Sequence, residues 1–140
     1  MVSLSPVVVL VEDHHDTKDL YTDSLEFAGF RVHATTNADE GFRLATELRP
    51  AAVVTDFWLQ GSPNGAELCN RLKSDSRTRH IPTLLVTASS QRKDVDAALS
   101  HGCAAVRLKP YLPDAMARDI RTLIAGKRIS RWPAELDRIP

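Results

Sequence analysis

The chain has 140 residues, 43% of them hydrophobic and 26% charged, and its 18 basic and 18 acidic side chains leave no formal net charge. That length suits one domain with a self-sufficient core, and the even balance argues against a surface that grips nucleic acid directly. No apolar run approaches the roughly twenty residues that span a bilayer, and Met1–Pro6 carry no positive charge ahead of the first apolar run, so neither a membrane contact nor a secretory signal is expected.

The first run, Val7 to Val11, is continuously apolar and β-branched, which predicts a strand covered on both faces. A helix is expected from His15 to Ala28, with Leu20, Tyr21, Leu25 and Ala28 on its inner face and Gly29 ending it. Arg31 to Thr35 is the second strand. Asn37 and Glu40 then have the spacing of a capping box, and Ala38, Phe42, Ala45 and Leu48 mark one helix face before Pro50. A third strand, Ala51 to Thr55, runs into Asp56, and a loop from Phe57 to Pro63 leads to a helix opening at Asn64 with Leu68 and Leu72 inward. The fourth strand spans Pro82 to Thr87, with a helix from Ser90 to His101 and Gly102 after it. The fifth spans Ala104 to Leu108. Pro113 suits a first helical position, and the last helix runs to Gly126 with Met116, Ile120, Leu123 and Ile124 inward.

Five strand–helix units of this size predict a single α/β domain over residues 1–126, a doubly wound parallel sheet, with a tail at 127–140. The two cysteines, Cys69 and Cys103, form neither a CxxC pair nor a zinc spacing and read as small buried apolar side chains, which favours the cytoplasm.

In such a sheet, ligands sit at the carboxyl ends of the strands where the winding reverses. Glu12 and Asp13 follow the first strand, Asp56 the third, Thr87 ends the fourth and Lys109 follows the fifth. Three carboxylates facing one ammonium leave a formal charge of −2, and such acids repel one another unless a cation joins them. All-oxygen ligands select a hard divalent ion such as Mg2+. A metal, a lysine, a hydroxyl and a carboxylate able to act as nucleophile suit phosphoryl transfer.

Val9-Leu-Val-Glu-Asp13, Val53-Val-Thr-Asp56, Ile81-Pro-Thr-Leu-Leu-Val-Thr-Ala88 and Leu108-Lys-Pro-Tyr111, in this order and spacing, resemble the receiver domains of bacterial two-component response regulators. The resemblance covers about residues 7 to 125. It implies a flavodoxin-like or CheY-like (βα)5 fold with strand order 2-1-3-4-5. It implies that Asp56 is the phosphoacceptor, that Asp13 binds Mg2+ directly, and that Glu12 helps to hold the ion. The backbone carbonyl of Trp58 would be a further ligand. Thr87 and Lys109 would bond the phosphoryl group, and the Lys109–Pro110 peptide would be cis. The implied partners are a histidine kinase or phosphotransfer protein and a downstream protein target. The implied function is a switch, with at most self-catalysed phosphorylation and dephosphorylation rather than enzymatic turnover. A phosphorylation-dependent homodimer, and a receiver cut from a larger regulator or hybrid kinase, stay open.

Three positions depart from the family pattern. Val106 stands where an aromatic switch residue that works with Thr87 is frequent. The loop after Asp56 is one residue longer and lacks its usual proline, and Trp58 is bulky where polar residues are common. A non-phosphorylated pseudo-receiver would have lost an acid or the lysine, and this chain keeps them all. An aspartate-nucleophile enzyme would carry a second acid at Trp58, and a flavin phosphate would not tolerate Glu12-Asp-His-His15 after the first strand. His14, His15 and the basic Arg71, Lys73, Arg77 and Arg79 read as solvated surface. Trp132 is expected to fold back on its own domain.

Overall fold

The computed structural model describes residues 5–62 and 64–137, without the side chain of Asp137. Met1–Leu4, Pro63 at the end of the expected loop, and the last three residues of the tail lie outside the described residues. Strands β1 (Val7–Val11), β2 (Arg31–Thr35), β3 (Ala52–Asp56), β4 (Thr83–Thr87) and β5 (Ala105–Leu108) alternate with helices α1 (His15–Phe27), α2 (Ala38–Leu48), α3 (Asn64–Ser74), α4 (Arg92–Ser100) and α5 (Pro113–Ile124). A short α6 (Ala134–Asp137) follows. All strand pairs are parallel and run in the order β2-β1-β3-β4-β5, as expected.

Strand side chains alternate between the faces of the sheet. Val8, Leu10, Val54 and Leu84 meet Tyr21 and Leu25 of α1 and Met116 and Ile120 of α5. Val9, Val11 and Val53 meet Ala38 and Ala45 of α2 and Leu68 and Leu72 of α3. A third cluster joins Leu85 and Val106 to Cys69 of α3 and Val95 and Ala98 of α4. The central strands β3 and β4 are buried along their whole length, which accounts for the apolar Ala52–Val54 and Leu84–Val86 at their centres.

Four details differ from the sequence expectation. Leu20 faces solvent, 57% exposed, because its neighbour Tyr21 takes the inward position and donates to the Tyr111 carbonyl at 2.7 Å. Leu48, the last residue of α2, is also exposed. The capping box at α2 is half formed. Asn37 accepts the Glu40 amide at 2.8 Å, but the Glu40 carboxylate turns to Arg43 instead of back to the cap. Finally, Cys69 and Cys103 are not free thiols but a disulfide, with Cα atoms 5.6 Å apart.

Both cysteines are fully enclosed, and their bond ties α3 to the turn before β5. The cysteine-based argument for a reducing compartment therefore loses its premise. The bridge closes a loop across a sequence separation of 34 residues, so reducing it should lower stability by about 2–4 kcal/mol. Urea unfolding with and without a dithiol, alongside a thiol titration, measures this. An unchanged midpoint in protein shown to be reduced would mean that the bridge contributes nothing.

Candidate functional site

The chain leaves β1 for β2 on one side and returns to β3 on the other, so a crevice opens at the carboxyl ends of β1 and β3. The parallel ladder runs to the rim of that crevice. Glu12 donates its amide to Thr35 at 2.9 Å, Phe57 to Val86 at 2.8 Å and Lys109 to Thr87 at 2.8 Å. These bonds fix the backbone on which the predicted residues stand. Gly65, at the start of α3, sits against the strand end from the other side. A Cβ there would overlap the Asp56 carbonyl, so only glycine lets the helix approach this closely.

Glu12, Asp13 and Asp56 each offer a carboxylate oxygen within 4.8 Å of the others, the one such metal-type cluster among the described residues. Lys109 Nζ lies 2.9 Å from Asp56 Oδ2 and 3.7 Å from Glu12 Oε2. Asp56 and Glu12 are almost wholly buried, and Asp13 sits at the edge. Burial, and then the charge of Asp56, push the Glu12 carboxyl from 4.5 up to about 7, against the opposing pull of Lys109. Burial pulls the Lys109 ammonium down, but its hydrogen bond to Asp56 and the charges of Asp56 and Glu12 outweigh that and raise it. Such a cluster of hard oxygen donors with excess negative charge fits a divalent cation.

Thr87 is buried at the end of β4, one position beyond Val86, the β4 partner of Asp56. Its Oγ1 accepts the Ser89 amide at 3.0 Å. Trp58, two residues past Asp56, is 45% exposed, with its ring edge-on to Phe57 at 5.5 Å. Val106 does not reach the crevice and packs wholly buried in the α3–α4 cluster. The Lys109–Pro110 peptide is cis.

Two contributors carry no signal in the sequence. Gln60, in the left-handed region at φ 53°, donates its amide to Asp13 Oδ2 at 2.7 Å. Ser89 binds Thr87 through its amide, and through its hydroxyl donates to Asp94 Oδ2 at 2.6 Å. His14 accepts the Thr17 amide as the cap of α1 rather than joining the acids. The basic cluster is largely internally paired: Arg71 with Asp39, Arg77 with Asp75, and Lys73 with the Arg79 carbonyl.

The response regulator receiver domain family matches residues 8–121, nearly the whole folded unit. The chain belongs to that family. It is 35% identical over 103 residues to the polar-differentiation response regulator DivK of Brucella anthropi, covering 74% of this chain and 83% of DivK. It is 30% identical over 128 residues to the DNA-binding dual master transcriptional regulator RpaA of Synechocystis, covering 91% of this chain but 52% of RpaA. The chain thus spans about half the length of that relative. Among solved structures, the signal receiver domain of a histidine kinase from Syntrophus aciditrophicus superimposes with a TM-score of 0.80 at 27% identity, over 90% of this chain and 96% of that one. Receiver domains are the phosphoacceptor signalling modules of two-component systems, a regulatory family rather than enzymes in the ordinary sense. No helix among the described residues is long and apolar enough to cross a membrane.

Proposed function

We propose that Asp56 receives a phosphoryl group from a histidine kinase or phosphotransfer protein and that this receiver signals through protein contacts. The observation that carries the reading is a buried carboxylate, that of Asp56, held 2.9 Å from a lysine, with two further acids beside it. An Asp56 carboxylate oxygen attacks phosphorus, the bond from phosphorus to the donor breaks, and its electron pair leaves with the donor. Lys109 would balance charge on the transferred group, and Thr87, whose Oγ1 accepts the Ser89 amide, would donate its O–H to a phosphoryl oxygen. Glu12, Asp13, Asp56 and the Trp58 carbonyl would hold Mg2+, which supplies charge neutralisation on the phosphoryl oxygens. Because the donor's phosphoryl group derives from the nucleotide pool, the reading includes a cytoplasmic location.

Acetyl phosphate with Mg2+, followed by intact mass, tests the reading. One phosphoryl adduct should form, depend on Mg2+ and fall away with hydroxylamine, as an acyl phosphate does. A protein that stays unmodified under these conditions would remove the reading.

Metal affinity should also depend on pH through Glu12. In the metal-free fold this group holds a proton between pH 4.5 and about 7 that the unfolded chain has released. Its contribution to stability is therefore full at low pH and is lost as pH rises through about 7. Mg2+ must displace that proton, so its affinity should climb up to about pH 7 and level off above. Trp58 fluorescence in a Trp132→Phe background reports the titration, and Glu12→Gln should flatten the pH dependence. An unchanged slope in Glu12→Gln would assign the proton elsewhere.

A further inference from the structure

Among the described residues β5 ends the sheet, so one of its sides has no strand partner there, and a bare edge leaves backbone donors and acceptors unmatched. Residues 127–137 cover it. The Val106 amide donates to the Arg131 carbonyl at 2.9 Å. The Arg107 guanidinium, paired with Asp119 at 3.0 Å, donates to the carbonyls of Val106 at 2.9 Å and Ser130 at 2.8 Å. Arg131 reaches the carbonyls of Leu99 and Cys103 at 3.0 and 3.3 Å, beside the end of α4. Leu136 of α6, 2% exposed, enters the cluster of Phe57, Leu85, Val95 and Val106. At the other end of α4, Arg92 stands 5.3 Å from the Trp132 ring.

This segment is bound without being fully packed. Between it and the start of α5 lies a cavity of about 560 Å³, bordered by Tyr111, Leu112, Trp132 and Glu135. Its seat is also built from neighbours of the site. Phe57 directly follows Asp56, and Leu85 precedes Thr87 on β4. A polar chain joins the two regions. Thr87 Oγ1 holds the Ser89 amide, the Ser89 hydroxyl holds Asp94 in the first turn of α4, and Arg92 of that turn covers Trp132.

The geometry points to residues 127–137 as a strap that grips the β5 edge and α4 while Asp56 is free and lets go when Asp56 is phosphorylated, an inference that rests on the phosphoacceptor reading above. When the Thr87 side chain rotates at χ1 to bring its hydroxyl to a phosphoryl oxygen, Oγ1 is carried away from the Ser89 amide that it accepts. The turn before α4 then loses its anchor, the first turn of the helix moves, and both the Arg92–Trp132 contact and the Leu136 seat are lost. Ser89 acts here as a positioning residue. Leu136 of the strap packs in the same cluster as Val106, with Trp132 against it.

The Val106 amide is a direct reporter, since it donates to the strap carbonyl of Arg131. In the full chain, acetyl phosphate and Mg2+ should give the adduct by mass and speed exchange of this amide about tenfold or more, with the central amide of Val54 unchanged. Coupling is reciprocal, so Leu136→Ser should take up phosphate more completely than the wild type. Should that variant fail to fold, Trp132→Ala serves in its place. Ser89→Ala should accept phosphate but show a clearly smaller change at Val106. An adduct that forms while Val106 exchange stays constant overturns the strap and leaves the phosphoacceptor reading standing. Absence of any adduct on the wild type overturns both.

Discussion

Asp56→Asn should abolish the phosphoryl adduct completely while leaving the protein folded. Asparagine matches aspartate in shape, and the site is 7% exposed, so the variant meets no steric obstacle. Its amide is not a nucleophile toward phosphorus. The substitution also removes one of three mutually repelling acids, so Glu12 should fall back toward its ordinary range, since the charge of Asp56 is the second largest cause raising it. Against that gain stands the loss of the 2.9 Å pair with Lys109, partly replaced by the Glu12 oxygen already 3.7 Å from the same ammonium. Metal-free Asp56→Asn should therefore unfold at a denaturant concentration no lower than the wild type at pH 8, and bind Mg2+ more weakly for want of a charged ligand. Intact mass after acetyl phosphate decides the main point. An adduct of wild-type yield in the variant would move the phosphoacceptor to another side chain, with the neighbouring Asp13 first in line.

The sheet was legible because its signal is redundant. Val7–Val11 and Ala52–Val54 are apolar at every position, the signal of strands covered from both sides, and the turns supply their own stops. Each acid, hydroxyl and lysine of the site ends a strand or lies within two residues beyond one, so topology alone brings Glu12, Asp13, Asp56 and Lys109 together. What escaped depends on three-dimensional meeting or on backbone atoms. Leu20 and Tyr21 are adjacent, only one can face the core, and the tyrosine wins through a hydrogen bond to Tyr111, 90 positions away. Cys69 and Cys103 are joined only because α3 and the turn before β5 are neighbours across the sheet face. Gln60 toward Asp13, and Ser89 toward Thr87, act through amide groups that any non-proline residue carries. The four-residue α6 is too short to show a helical period, so the burial of Leu136 could not be read from the tail.

Lys109→Ala should fold, bind Mg2+ at least as tightly, and fail to relay phosphorylation. Without the ammonium, the crevice holds three acids and no cation, a formal charge of −3, and Glu12 loses the neighbour that pulls it down. The metal-free variant should be destabilised by about 1–2 kcal/mol at pH 8, below the usual cost of breaking a fully buried pair because Lys109 keeps some solvent contact. The sign of the pH effect follows from Glu12. Below about pH 7 this group can take up a proton and relieve the repulsion, so the deficit should shrink at pH 6 and grow toward pH 8. Mg2+ replaces the missing positive charge, so saturating metal should close most of the gap at either pH. Denaturant titrations at the two pH values, with and without Mg2+, separate these effects. After phosphorylation the new anion faces no lysine, and the rearrangement read at the Val106 amide should be largely lost even where the adduct forms. Wild-type Val106 acceleration in Lys109→Ala would show that the relay runs through Thr87 and Ser89 alone. Equal stability deficits at pH 6 and pH 8 would show that Lys109 holds the crevice by packing rather than by charge.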